Sequence, residues 1–255
     1  MSGLATALGF YTRLPIPGTA AGSKDLARSA PWFPVAGLCI GAVIAAAYSV
    51  LSQLLPGTVA AVLAVSGGTL LTGALHEDGL GDVADAFAGG WTVERRLEIL
   101  DDPRQGTFGV LALTAAFLTR VSAIAVLDAY SALALVPAAH ALSRVPALVL
   151  MRRQQLARPQ GLAADFANGL TSAHAVGAVV AGVTIAALLI GLWVVPAALL
   201  CSLVSWGMAS LARTKVGGIG GDVLGATQQL AELAVLLLGV AVLEGSWGTL
   251  AWWRP

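Results

Sequence analysis

Seven stretches of this chain are long and apolar enough to cross a lipid bilayer. A helix needs about 20 predominantly apolar residues to span the hydrocarbon core. The stretches lie at roughly 33–54, 58–75, 107–127, 130–151, 174–192, 194–212 and 223–243. The fifth and sixth are nearly contiguous, so a tight hairpin around Pro196 is expected there. Composition agrees: 57% of the 255 residues are hydrophobic and 11% charged, with a mean hydropathy of +0.83. Soluble domains run at about 45–50% apolar and about 25% charged. The expected fold class is therefore all-α, a polytopic integral membrane helix bundle of about seven transmembrane helices. At the N-terminus, "MSGLATALGFYTRLPIPG" has no basic start and too short an apolar run for a signal peptide, and reads as an interfacial helix. No internal repeat or low-complexity linker divides the chain, so residues 1–255 read as one domain.

The charges give an orientation. Arg13, Lys24 and Arg28 precede the first span, and Arg95, Arg96 and Arg104 lie between the second and third. Arg152, Arg153 and Arg158 separate the fourth and fifth, and Arg213 and Lys215 the sixth and seventh. With seven spans these segments share one face, expected to be cytoplasmic, and the opposite loops carry no Lys or Arg except Arg254. The 14 basic and 14 acidic residues balance, so nothing points to a nucleic-acid partner. Cys39 and Cys201 both fall in apolar runs and read as packing residues.

Directly after the second span comes "HEDGLGDVADAFAGG", residues 76–90. Asp78, Asp82 and Asp85 are spaced i, i+4, i+7 and fall on one helical face. Unpaired, three such carboxylates would repel one another, and a divalent cation removes that repulsion. Oxygen ligands without thiolates or a histidine pair suit Mg²⁺, or Mn²⁺, completed by substrate phosphates. His76 and Glu77 point off this arc, and His76 is either a base or a polar residue at the helix start.

Two further segments have the character of phosphate sites. In "DDPRQGTFG", Asp102, Arg104 and the Gly106-Thr107 turn sit where the chain returns to the membrane. In "KVGGIGGDVLGA", residues 215–226, Gly217, Gly218 and Gly221 precede a helix and let backbone N–H groups converge on an anion. Asp222 is then an N-cap or a further metal ligand. Glu232, Arg120 and the His140/Arg144 pair lie inside spans, where ionisable groups are functional or structural hydrogen-bonding candidates.

Taken in order, these stretches resemble cobalamin synthase, the adenosylcobinamide-GDP ribazoletransferase family. The matching segments are "FYTRLPIP" at 10–17, "FPVAGLCIG" at 33–41, "HEDGLGDVADAF" at 76–87 and "LEILDDPRQGTFG" at 97–109. Ser143-Arg144 and "GGIGGDVLGA" with Glu232 downstream complete the set. Ala86 stands where that family has glycine and Asp101 where it generally has a basic residue; neither change touches the three aspartates.

The resemblance implies Mg²⁺-dependent transfer of adenosylcobinamide phosphate from adenosylcobinamide-GDP to α-ribazole or its 5′-phosphate. The products are adenosylcobalamin, or its 5′-phosphate, and GMP. It makes Asp78, Asp82 and Asp85 the metal ligands, with Asp82, Asp85 and Asp102 as catalytic candidates and Asp85 as the candidate proton acceptor. Arg13, His76, Arg104, Thr107, Arg144, Gly217, Gly218, Gly221, Asp222 and Glu232 are the substrate-binding candidates. The expected setting is the inner membrane of a prokaryote. The glycines of "GLCIGAVIAAA" would permit a homo-oligomer. A CDP-alcohol phosphotransferase would share the helical aspartate set, but "DGLGD" lacks that group's Ala-Arg pair. A cation-coupled transporter would place its acids at mid-membrane instead of beside arginines and glycines at one face.

Overall fold

The computed structural model describes residues 3–16, 22–245 and 247–253, so Pro17 of the N-terminal motif and Arg254 lie outside them. The helices in chain order are α1 (Gly3–Tyr11), α2 (Ser23–Ser29), α3 (Phe33–Leu51), α4 (Gly57–Thr72), α5 (Leu75–Gly89), α6 (Val93–Leu100) and α7 (Thr107–Ala125). They continue as α8 (Ala129–Leu142), α9 (Val145–Arg153), α10 (Leu162–Gly169), α11 (Ser172–Ile190), α12 (Val194–Val216) and α13 (Gly221–Glu244). Among the described residues there is no sheet, only one isolated bridge between Leu156 and Ile219. The all-α membrane bundle expected from the sequence is what forms.

The expected count of seven spans is not confirmed by helix length and composition alone. Five helical stretches are long and apolar enough to cross, Ser23–Leu51, Thr107–Ala125, Ala129–Arg153, Ser172–Val216 and Gly221–Glu244, and the bent pair α4–α5 makes six. One difference lies at 172–216, where the two apolar windows lie in one helical stretch of 45 residues, long enough for two crossings. Its interruption falls at Gly191, with φ +57, rather than at Pro196. Pro196 sits in the first turn of α12, where its missing N–H has no helical partner to lose. Val183 of α11 and Cys201 of α12 line one cleft against α9.

The other difference lies at the end of α4. Its 16 residues measure about 24 Å, short of the bilayer core. Gly73 and Ala74, with φ +64 and +57, then turn the chain through 91° into α5. Left-handed backbone costs a non-glycine residue about 1–2 kcal/mol, so Ala74 holds strain at this joint. Asp78, exposed, and Asp82, half-buried, belong in contact with water, and we read α5 as lying along the membrane face, outside the spans.

The basic loops do collect at one end of the molecule. Arg96 donates to the Lys215 carbonyl at 3.1 Å, Lys215 to the Phe87 carbonyl at 3.1 Å and Arg158 to the Leu97 carbonyl at 3.0 Å. Elsewhere, Tyr48 donates to the Leu127 carbonyl at 2.9 Å and Trp252 to the Leu188 carbonyl at 3.0 Å, polar handles of the kind that anchor helix ends at interfaces. The core is alanine-rich and tightly drawn. A Cβ on Gly41 would lie 2.7 Å from the Pro137 Cα, and one on Gly37 would meet the His140 carbonyl. Both α3 glycines are therefore committed to α8 within the chain.

Candidate active site

The acidic helix is held between two helix N-termini by glycines. On one side, a Cβ on Gly79 would stand 2.8 Å from the Asp222 carbonyl at the start of α13. On the other, Gly81, Gly106 and Gly109 let α5 approach the start of α7, where Asp85 accepts hydrogen bonds from the Gly106 N–H at 2.7 Å and the Gly109 N–H at 2.9 Å. A buried carboxylate on the first amides of a helix satisfies donors with no intrahelical partner and meets the positive end of the helix dipole. The expectation that Asp85 is a metal ligand or proton acceptor therefore meets a competing task, since each of its oxygens is engaged with α7. A Cβ on Gly109 would run into the Asp85 carboxylate and lie 2.9 Å from the Gly81 carbonyl. Gly109→Ala should push α7 off α5, destabilising the protein by about 1–3 kcal/mol and lowering turnover with it; thermal unfolding in detergent and a kinetic assay check both.

Asp82 lies one turn before Asp85, half-buried, and takes a 2.8 Å hydrogen bond from the Gln105 amide. Burial pushes its carboxyl up to about 6, opposed by the Gln105 bond and reinforced by the charges of Asp78, Asp222 and Asp85. Asp78 is exposed at the start of the helix, and both Asp78 and Asp222 border one cavity. Asp78, Asp82, Asp85 and Asp222 thus gather from α5 and α13, and among the described residues none of them is in an ion pair with Lys or Arg. The donor chemistry fits a hard divalent cation. No three His, Cys, Asp or Glu side chains among the described residues are yet close enough to enclose one. Mg²⁺ does not require that, because it binds through one or two carboxylates and fills its shell with phosphates and water.

The remaining candidates divide between the site and its frame. Asp102 and Arg104 pair with each other through two hydrogen bonds of 2.7 and 2.8 Å, and that guanidinium with the Arg104 backbone N–H lowers the Asp102 carboxyl to about 2. Thr107 opens α7 beside them, exposed. Gly217 ends α12 in left-handed conformation, and a Cβ on Gly218 would stand 2.5 Å from the Gln155 carbonyl. Gly217 thus serves the turn that ends α12 and Gly218 serves backbone packing against 155–157, while Gly221 faces open space at the cavity. Arg13, exposed, packs on Gly73 at the α4–α5 joint and its N–H donates to the Leu71 carbonyl at 2.8 Å.

Behind the aspartates, the intramembrane polar residues form one buried group. Arg144 Nη1 lies 3.0 Å from His76 Nε2, and its guanidinium sits 4.7 Å over the Tyr11 ring. Glu232 is 3.0 Å from Arg120 and 3.3 Å from His140, and Arg120 is 3.3 Å from Glu77. His76 and Glu77, which point off the aspartate arc, are thus the two links from α5 to this group.

Sequence reasoning missed two features. Asp101, where the resembled family has a basic residue, receives two 2.7 Å hydrogen bonds from Arg158 that hold its carboxyl below the usual range, so the departure has a partner. It also missed a cavity lined by Phe10, Tyr11, Phe33 and Phe166 beside Asp78 and Asp222. No spacing rule joins aromatic residues so far apart in the chain, although three of the four lie within or beside quoted motifs.

Comparison with known proteins bears directly on this arrangement. Residues 3–241 match the family model described as cobalamin-5-phosphate synthase. A protein of Chlorobaculum parvum named adenosylcobinamide-GDP ribazoletransferase is 38% identical over 98% of this chain and 100% of its own. One of the same name from Azorhizobium caulinodans is 41% identical over 95% of this chain and 96% of its own. The Chlorobaculum tepidum protein of that name is 38% identical over 98% and 100%. No solved structure matches. With its acidic helix, its glycine seats and nearly its whole length within that match, the chain belongs to the cobalamin-5-phosphate synthase family.

Proposed function

We propose that the groove between α5 and the starts of α7 and α13 transfers adenosylcobinamide phosphate from adenosylcobinamide-GDP to α-ribazole or its 5′-phosphate. The ribazole 3′-oxygen forms a bond to the cobinamide-linked phosphorus, the bond from that phosphorus to the GMP oxygen breaks, and GMP leaves. One observation supports this reading above the others: a carboxylate set from two helices, with no ion-pair partner among the described residues, beside a cavity at the end where the basic loops meet. Asp78 and Asp222 would hold Mg²⁺, or Mn²⁺, against the diphosphate. The metal when bound neutralises the charge that develops on the phosphoryl oxygens.

The chain's own residues do the rest. Asp82 takes the proton of the ribazole hydroxyl, a role favoured by a carboxyl near 6 and by oxygens less committed than those of Asp85. Asp85 fixes the start of α7, and Gln105 holds Asp82 in place. Arg104, 86% exposed, is free to turn toward a phosphate at the exchange of its bond to Asp102. The basic face is cytoplasmic, which gives the site access to a soluble nucleotide product.

Purified protein in liposomes, given adenosylcobinamide-GDP, α-ribazole and Mg²⁺, should release GMP and cobalamin in equal amounts. EDTA should abolish that release and Mg²⁺ or Mn²⁺ restore it. Folded protein that turns over no such pair with either metal overturns the assignment, and CDP-alcohol substrates would be tried next.

A further inference from the structure

The aromatic cavity beside the aspartates has no task in the chemistry above. Its volume is about 250 Å³, below the roughly 300–1,000 Å³ of pockets that take drug-sized ligands. Its walls are Phe10, Tyr11, Phe33, Leu148, Met151 and Phe166, drawn from α1, α3, α9 and α10. The rings are ordered in parallel: Phe33 lies 5.8 Å from Phe166 with 6° between planes, and 5.9 Å from Phe10 with 10° between planes. The polar side chains Asp78, Asp222 and His76 lie along the α5 and α13 border. His76 is itself stacked on Tyr11 at 5.4 Å.

Such a site takes a flat, apolar bicyclic ring attached to something polar that stays at the border. Three parts of the two substrates compete for it. The corrin macrocycle with its amide side chains is far too large. Guanine is flat, but its ring edge carries several donors and acceptors, and apart from the Tyr11 hydroxyl the walls offer them no partner, at about 1–3 kcal/mol for each group left unpaired. A dimethylbenzimidazole has no exocyclic polar group and satisfies both size and chemistry.

We propose that this cavity is the subsite for the benzimidazole of α-ribazole, with the ribose at the Asp78–Asp222 border and its hydroxyl directed to the reacting phosphate. The assignment rests on the transferase reading above. It adds that the lower base is selected by aromatic walls instead of by hydrogen bonds. A riboside with an adenine base would then be a poorer acceptor, since its amino group would lose water without gaining a partner.

Ala163 also lines the cavity and is half-buried, so a larger side chain there fills the space without removing a wall. In Ala163→Phe the KM for α-ribazole should rise tenfold or more, with the KM for adenosylcobinamide-GDP and kcat at saturation within twofold of wild type. Binding of α-ribazole alone, followed by saturation-transfer NMR on the intact protein in detergent, should be lost in the same variant, a readout independent of turnover. Two results overturn the subsite while leaving the activity standing: an unchanged KM for α-ribazole, or a rise confined to adenosylcobinamide-GDP. Wild type that binds α-ribazole, loses that binding in Ala163→Phe, and still releases no GMP keeps the subsite and removes the activity. Wild type that neither binds nor turns over removes both.

Discussion

Asp82→Asn is expected to cut kcat by about 10²–10⁴-fold, the range associated with a positioned proton acceptor, while the protein stays folded. The substitution keeps the size of the side chain and an oxygen able to accept the Gln105 bond. What it removes is one negative charge among four. That charge is held at a disadvantage: the Asp82 carboxyl is raised from 3.8 to about 6, first by burial and then by Asp78, Asp222 and Asp85. A carboxyl that binds its proton more tightly when folded weakens the fold as pH rises from about 3.8 through 6. The metal-free wild type should therefore lose thermal stability over that interval, and Asp82→Asn should lose less, the charges of Asp78, Asp85 and Asp222 remaining. The variant should gain on wild type at pH 7 relative to pH 4, against the direction of its activity. The kcat profile of wild type should fall on the acid side with an apparent pKa at or below about 6, since bound Mg²⁺ lowers a neighbouring carboxyl. A folded Asp82→Asn protein that keeps wild-type turnover removes Asp82 from the chemistry, and one that unfolds at neutral pH overturns the stability argument.

Much of this site was legible in the sequence, for reasons that particular residues make plain. The period of Asp78, Asp82 and Asp85 survives into the structure because α5 is a continuous helix from Leu75 to Gly89. Of the glycines interleaved with them, Gly79 is needed where α5 nearly touches the backbone of α13 and Gly81 where the Gln105 side chain lies against α5. Spacing alone gives only the direction of a side chain, however, and the separate tasks of the three aspartates depend on what each one meets. Asp85 meets two amides from residues 21 and 24 positions away in the chain. Asp222 joins the acids from α13, a helix more than 100 residues downstream by its numbering. The joints between spans were the least legible part, since hydropathy windows register apolar length and carry no information on the bend at Gly73–Ala74 or on the turn through 191–193. The aromatic cavity was invisible because its walls come from four helices whose order in the chain says nothing of their nearness.

Glu232→Ala should have the largest effect on stability, a loss of about 3–5 kcal/mol, because it leaves a guanidinium buried without its main counter-charge. Glu232 is 1% exposed and Arg120 4%. One Glu232 oxygen lies 3.0 Å from Arg120 Nε, and the other accepts a 2.8 Å bond from Gln228 and faces His140 at 3.3 Å. Arg120 in turn holds Glu77 and donates to Gln229. The group therefore joins α7, α8 and α13 to α5 at the residue immediately before Asp78, and its charges balance only when complete. Ion pairs of this kind are often neutral when both members are exchanged for apolar side chains and destabilising when one is removed. The double variant Arg120→Met/Glu232→Leu should accordingly recover most of that loss, falling short of wild type because Glu77, 19% exposed, keeps no guanidinium, as read by thermal unfolding in detergent. Turnover should not recover with it, remaining tenfold or more below wild type, because Glu77 would still lack the guanidinium that ties α5 to the bundle. Full recovery of both would mean that the buried charges serve folding alone; recovery of stability without activity would mean that the membrane interior holds the aspartate helix in its working position.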